Sequence, residues 1–160
     1  MRKMIAVDAP VCSGCKICMM VCSLRHESVV NPTRSRITVF QHESVLLEVP
    51  VVCQQCESAP CAAVCPVNAI RQDEKLGRVV VDYDVCVGCK MCVVICPFGA
   101  MGFNTIARKV IKCDLCDGDP ECVKFCSTKA IQYVDATSVS LKKGRASSDK
   151  ITEQVRQLTT

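Results

Sequence analysis

Sixteen cysteines dominate the chemistry open to this 160-residue chain. They fall into four groups of four: Cys12, Cys15, Cys18 and Cys22; Cys53, Cys56, Cys61 and Cys65; Cys86, Cys89, Cys92 and Cys96; Cys113, Cys116, Cys122 and Cys126. None is left over as a free nucleophile, and no paired carboxylate or nucleophile–base set stands out. Grouped thiols act as staples, in disulfides, zinc sites or iron–sulfur clusters. A staple is needed here. Setting the cysteines aside lowers the apolar fraction from 49% to about 39%, Trp is absent and aromatics are 4%. Disulfides belong to oxidising compartments reached through a signal peptide, and the opening Met-Arg-Lys-Met-Ile-Ala-Val-Asp lacks an apolar run because Asp8 interrupts it. No stretch approaches the roughly 18 apolar residues of a membrane span. The expectation is a cytoplasmic chain whose cysteines bind metal.

Spacing then separates zinc from iron. The first and third groups read C-x2-C-x2-C-x3-C, the loop of bacterial ferredoxins, with the full Cys-Pro ending only at Cys96-Pro97; the second group has its own at Cys65-Pro66. In such a loop three thiolates wrap one cubane, and Gly14 or Gly88 lets backbone N–H groups approach the sulfurs. The fourth cysteine is expected to open a helix that heads away and reaches the other cluster of a pair, with Pro in its first turn. A zinc ribbon uses two knuckles far apart in sequence, which four thiolates within 11 residues do not match. A zinc-binding interaction module stays as the remote alternative.

The chain also repeats itself. Residues 5–22, IAVDAPVCSGCKICMMVC, align with 79–96, VVVDYDVCVGCKMCVVIC, at an offset of 74 that sets Asp8 over Asp82, Gly14 over Gly88 and Lys16 over Lys90. Residues 53–70 match 113–131 with one residue inserted. Each half joins a tight group to a looser one, and a turn around Gln72–Gly77 links the halves. To position these loops, Ile5–Asp8 and Val79–Asp82 are expected as entering strands, and Met19–Leu24 and Val93–Cys96 as short helices. Arg36–Gln41 and Val45–Val52 are expected as an inserted hairpin, and Met101–Ile111 as a strand pair. The fold class is α+β: two ferredoxin-like modules with internal pseudo-twofold symmetry, short strands and short helices around four clusters.

Four groups in this order, with Cys96-Pro97-Phe98-Gly99-Ala100 and Lys112-Cys113-Asp114-Leu115-Cys116, resemble the four-cluster electron-transfer subunit of molybdenum- and tungsten-pterin oxidoreductases and of formate-hydrogenlyase-type complexes, over about residues 3–135. Cys22-Ser-Leu-Arg-His-Glu and Asn31-Pro-Thr-Arg-Ser-Arg-Ile37 are most similar to the small iron–sulfur subunits of tungsten aldehyde oxidoreductase-type complexes. The resemblance implies four [4Fe–4S] clusters with crossed ligands. The first takes Cys12, Cys15, Cys18 and Cys126; the second Cys113, Cys116, Cys122 and Cys22; the third Cys53, Cys56, Cys61 and Cys96; the fourth Cys86, Cys89, Cys92 and Cys65. Residues 1–135 then form one four-cluster domain, with module one from 5–25 plus 110–135 and module two from 50–100. Residues 136–160 are a tail or docking helix, with Ile151, Val155 and Leu158 on one face. Cys22 and Cys126 are followed by Ser rather than Pro, which weakens a helix-start signal but removes no ligand.

Lys16 and Lys90 sit inside cluster loops and are expected, with Gly14 and Gly88, to act on the cofactor or meet an acidic partner; plain solvent exposure is the simpler reading. His26 and His42 are read as hydrogen-bond partners rather than ligands, because the cysteines already complete four sets. The formal charge of +4 treats each Cys as neutral; four oxidised clusters at about −2 each bring it to roughly −4, so no nucleic-acid partner is expected. There is no G-x-G-x-x-G, no Walker loop and no radical-generating C-x3-C-x2-C. The chain is expected to be no enzyme by itself. It is read as relaying single electrons between a tungsten- or molybdenum-pterin catalytic subunit, acting on an aldehyde, formate or a similar substrate, and a second electron carrier or flavin subunit. Its internal symmetry would also let copies associate into longer relays. The alternative is a free-standing polyferredoxin shuttle.

Overall fold

The computed structural model describes residues 2–139 and Ser148. Among these residues the order is β1 (Lys3–Val7), α1 (Ile17–Glu27), β2 (Ile37–His42), β3 (Leu47–Val52), α2 (Pro60–Ala63), β4 (Ile70–Asp73), β5 (Arg78–Val81), α3 (Met91–Ile95), β6 (Gly102–Asn104), β7 (Lys109–Ile111), α4 (Glu121–Lys124) and β8 (Ile131–Asp135). Short strands and short helices alternate around the cysteine loops, which is the expected α+β class.

The strands pair into two-stranded antiparallel sheets. Three are local hairpins, with Ile37 opposite Val52, Ile70 opposite Val81 and Gly102 opposite Ile111. Their β-branched residues suit a pleated surface. The fourth sheet joins the two ends of the described chain, with Lys3 opposite Asp135 and Val7 opposite Ile131. A two-stranded sheet is marginal in water, and so is a helix as short as α2 or α4. Each must pack on something else.

What they pack on is partly sulfur. One buried core holds Ile5, Ile37, Val52, Leu115 and Ile131 with Cys22, Cys53, Cys113 and Cys122. The other holds Ile70, Val79, Met101 and Val110 with Cys61 and Cys92. Among the described residues, seven of the 21 buried apolar side chains are Cys, so these seven thiols are part of the core. Arg78 ties the β4–β5 hairpin to the fourth cysteine group through Asp73 (3.0 Å), Asp117 (2.7 Å) and the Asp114 carbonyl (2.6 Å).

The turn expected around Gln72–Gly77 is present and closes the β4–β5 hairpin, whose Ile70 and Val79 share one core. One expectation is corrected: the fourth cysteine does not open a helix. Cys22 lies within α1, Cys96 follows α3 in extended backbone (φ −67°, ψ 112°), and Cys65 and Cys126 come after the single turns of α2 and α4. At Cys65 and Cys96 the physical reason is the proline that follows, whereas Cys126 precedes Ser127 and opens no helix either. Pro97 excludes the helical conformation at Cys96 and lacks an N–H, so it stops a helix where it was expected to start one. No helix among the described residues is long and apolar enough to cross a membrane. The tail face at Ile151, Val155 and Leu158 lies outside the described residues.

Candidate metal centres

Each cysteine group opens with C-x2-C, and in all four the residue before the second Cys has left-handed backbone: Gly14 (φ 67°), Gln55 (49°), Gly88 (70°) and Leu115 (60°). The tight groups place glycine there. A Cβ at Gly88 would meet the Arg108 carbonyl oxygen at 2.2 Å, and one at Gly14 would meet the Glu48 side chain at 2.7 Å. In the loose groups the position is taken by Gln55 and Leu115, both 0% exposed. Their buried contacts offset a conformational cost of about 1–2 kcal/mol. Gln55 Nε2 donates to the Cys113 carbonyl at 2.9 Å, and its Oε1 accepts from the Val79 N–H at 2.9 Å.

Lys16 and Lys90 are left-handed as well (φ 58° and 65°), so φ alternates in sign through Gly-Cys-Lys. Alternation of this kind gathers successive N–H groups on one side, a concavity suited to an anionic group. The two lysine side chains themselves are exposed, and the Lys90 ammonium stands 4.2 Å over the Phe103 ring. The recurrence continues past the fourth cysteine. Asn68, Gly99 and Lys129, each three residues on, are again left-handed and donate N–H to the carbonyls of Cys65, Cys96 and Cys126 at 3.2, 3.2 and 3.3 Å. The first group departs from this pattern because α1 runs through its fourth cysteine.

The thiols gather across the groups. Cys12, Cys15, Cys18 and Cys126 line one cup, beside Phe125 and Thr128. Cys53, Cys56, Cys61 and Cys96 line a second, beside Phe98 and Lys112. Cys22, Cys113 and Cys122 share the first core, and Cys116 is near enough for charge on Cys22 to bear on it. Cys65, Cys86 and Cys92 share the second core, and charge on Cys89 bears on Cys92.

Burial pushes these thiols up, Cys18 and Cys92 to about 11 and Cys113 to about 12; Cys122 is pushed up too. Repulsion adds to burial, from Cys15, Cys12 and Cys126 at Cys18 and from Cys113, Cys22 and Cys116 at Cys122. Hydrogen bonds to sulfur act the other way. Cys126 is also disfavoured as a thiolate by burial, but donors at Ile131, Thr128, Ala130 and Lys129 outweigh that and bring it down. Ala69 N–H donates to Cys65 Sγ and Arg36 N–H to Cys22 Sγ, both at 3.3 Å. Soft, crowded, mutually repelling thiols with N–H donors aimed at sulfur fit an iron–sulfur core, whose positive iron relieves the repulsion.

His26 proves to be a partner of the fourth group. Its Nε2 lies 3.5 Å from Cys116 Sγ and 3.4 Å from Asp114 Oδ1, while Arg36 donates to Asp114 Oδ2 at 2.8 Å. Burial, then the Arg36 charge, push His26 down. Burial opposes ionisation of Asp114, but Arg36 and His26 outweigh it and hold that carboxyl low. Distance alone would let His26, Asp114 and Cys116 bracket an ion. Arg36 already answers the Asp114 charge, so the cluster reads as support for the Cys116 sulfur. His42 is exposed at the end of β2. Sequence reasoning missed Lys112 and Gln55; the signal was present in Lys112-Cys113, a lysine placed directly before a thiol.

The chain matches the 4Fe-4S dicluster domain family over residues 44–136. It is 40% identical over 151 residues to the putative electron transport protein YsaA of Escherichia coli, covering 87% of this chain and 94% of that one. It is 44% identical over 96 residues to the polyferredoxin-like subunit of the aliphatic sulfonate oxidoreductase of Pyrococcus furiosus, covering 60% of this chain and only 55% of that relative's length. Among solved structures it is similar to a chain of the active site complex BamBC of benzoyl coenzyme A reductase with benzoyl-CoA, at TM-score 0.50 and 25% identity over 96% of each chain.

Proposed function

Because the chain belongs to the 4Fe-4S dicluster family of electron-transport proteins, we propose that it carries four [4Fe–4S] clusters and relays single electrons between a catalytic subunit and a second redox partner. The observation that carries this reading is the left-handed residue before the second cysteine in all four groups. One left-handed position shared by four otherwise different loops supports four centres of one kind. When bound, a [4Fe–4S] cluster stores and releases one electron at a time.

The chain's own residues supply the rest. Cys12, Cys15, Cys18 and Cys126 would hold the first cluster and Cys113, Cys116, Cys122 and Cys22 the second. Cys53, Cys56, Cys61 and Cys96 would hold the third, and Cys86, Cys89, Cys92 and Cys65 the fourth. These sets divide the chain into one module from 5–25 plus 110–135 and another from 50–100. Gly14 and Gly88 keep their loops tight, and N–H donors at Ala69, Arg36 and Ile131 stabilise charge on sulfur. Exposure fits a relay with buried middle positions. Cys15 and Cys89 are exposed, whereas Cys22, Cys113, Cys116 and Cys122 are all buried. Partners would approach the two tight loops, and electrons would cross the interior between them.

The catalytic partner is inferred to be a tungsten- or molybdenum-pterin subunit acting on a small substrate such as an aldehyde or formate, and the second partner an electron carrier or flavin subunit. Relatives named as an oxidoreductase subunit and an active site complex support a subunit role. A free-standing shuttle is the second reading, favoured by the 94% coverage of a relative named simply as an electron transport protein. Metal analysis after anaerobic purification from native cells decides between them. The subunit reading expects about 16 Fe per chain, with tungsten or molybdenum in the same peak. Iron alone at that ratio moves the shuttle to first place. Zinc without iron, or about half the iron, sinks the four-cluster reading.

A further inference from the structure

Lys112 is a buried cation to which the relay above gives no part. Its side chain is 2% exposed. Nζ donates to Gln55 Oε1 at 3.2 Å, to the Cys113 carbonyl at 3.0 Å and to the Val79 carbonyl. Among the described residues no carboxylate pairs with it. An ammonium drawn out of water is costly unless opposite charge answers it, and three amide oxygens carry only partial charge. The groups at hand that can hold a full negative charge are thiolates. Lys112 lines the cup of Cys53, Cys56, Cys61 and Cys96. Its charge bears on Cys56 and Cys61 there, and on Cys113 of the fourth group.

The repeat shows what is unusual about this placement. Lys112 precedes the first cysteine of the fourth group as Val52 precedes that of the second, and Gln55 and Leu115 are equivalent in the same way. The pseudo-twofold therefore relates the pair Lys112–Gln55 to the pair Val52–Leu115. Val52 and Leu115 are apolar and buried together in the first core. Of two equivalent places, one holds methyl groups and the other a buried positive charge gripped by a left-handed glutamine.

We propose that Lys112, oriented by Gln55, is a fixed charge that makes the two inner cluster positions unequal, giving the centre in the Cys53–Cys56–Cys61–Cys96 cup a higher reduction potential than its counterpart in the Cys113–Cys116–Cys122–Cys22 set. The inference rests on the cluster assignment above. Reduction adds negative charge, and a fixed cation in a low-dielectric interior favours the more negative state. An electron crossing the molecule then has a preferred resting place on one side of the internal symmetry.

Redox titration of the iron-loaded full chain, followed by electron paramagnetic resonance, tests this, with Cys56→Ser identifying the signal of that cup. In Lys112→Met the potential of this signal shifts downward by more than any of the other three, and Lys112→Arg returns most of the shift. If the Met variant fails to load iron, Gln55→Glu, which sets a carboxylate against the ammonium, produces the same selective downward shift. No shift, an equal shift at every centre, or iron loss in all three variants overturns the proposal, the last by making Lys112 a scaffold residue. An unmutated chain without [4Fe–4S] signals fails the cluster reading instead, before any variant is made.

Discussion

The helices that follow the two tight loops begin from nearly the same sequence and end differently. Ile17–Cys22 reads ICMMVC and Met91–Cys96 reads MCVVIC, yet α1 runs 11 residues and α3 only five. The next residue is Ser23 in one and Pro97 in the other. Ser23 is fully buried; its hydroxyl donates to the Met20 carbonyl at 2.9 Å and accepts from the Asn31 N–H at 3.0 Å. Pro97 leaves Cys96 extended, with Ile95 and Phe98 exposed beside it. The longer helix carries His26 to Cys116, and it carries Glu27 to Asn104, whose Nδ2 donates to it at 3.3 Å. One difference between two copies of a repeat thus decides which end is stitched to the rest and which is left exposed.

The comparison can be broken most severely by giving α1 the stop that α3 has. Ser23→Pro should cost about 3 kcal/mol or more, since it removes a helical N–H and clashes one turn back. Anaerobic denaturant melts should show that loss, and iron analysis should show iron missing from the module containing Cys22. An unchanged melt would mean the last turn and a half of α1 contributes little. Next come the equivalent glycines. Gly88→Ala faces the Arg108 backbone carbonyl as well as left-handed strain, so about 2 kcal/mol or more is expected. At Gly14 the obstacle is the movable Glu48 side chain, and about 1–2 kcal/mol is expected. Equal melting shifts in the two variants would remove the distinction drawn between backbone and side-chain obstruction. The smallest effect should follow from Pro97→Ser, at about 1 kcal/mol or less. Far-ultraviolet circular dichroism should then show added helix as α3 lengthens toward the length of α1. Unaltered helicity would show that the proline is not the stop.

How far the sequence foretold this depends on how local the cause is. The α+β class, the β2–β3 and β6–β7 hairpins and the entering strands β1 and β5 follow from alternation and turns a few residues long. Strands β4 and β8 escaped notice. Ile70–Asp73 is short and polar at its centre, and β8 is defined by a partner that lies at the other end of the described chain. The proline after a fourth cysteine was read with the wrong sign, because its fit to a first helical turn was weighed and its effect on the preceding residue was not. His26 could be read as a hydrogen-bond partner, but the Cys116 sulfur beside it is 90 residues away, beyond any spacing rule. The burial of Lys112 was not legible either, since burial of a lysine leaves no mark on local sequence.

The pairing of β1 with β8 also imposes a timetable. Residues 50–100 contain every thiol proposed for their own two centres, so that stretch can close once Cys96 has been made. The first group has no such independence. In the proposed sets Cys12, Cys15 and Cys18 wait for Cys126, with which they line one cup, and β1 waits for β8. From Cys22 to Cys126 is about 100 residues, which at about 5–20 residues per second is a delay on the order of 5–20 s. Through that interval the earliest thiols to leave the ribosome stand unhoused, open to oxidants and to stray metal, and the first cysteines synthesised become the last to be enclosed.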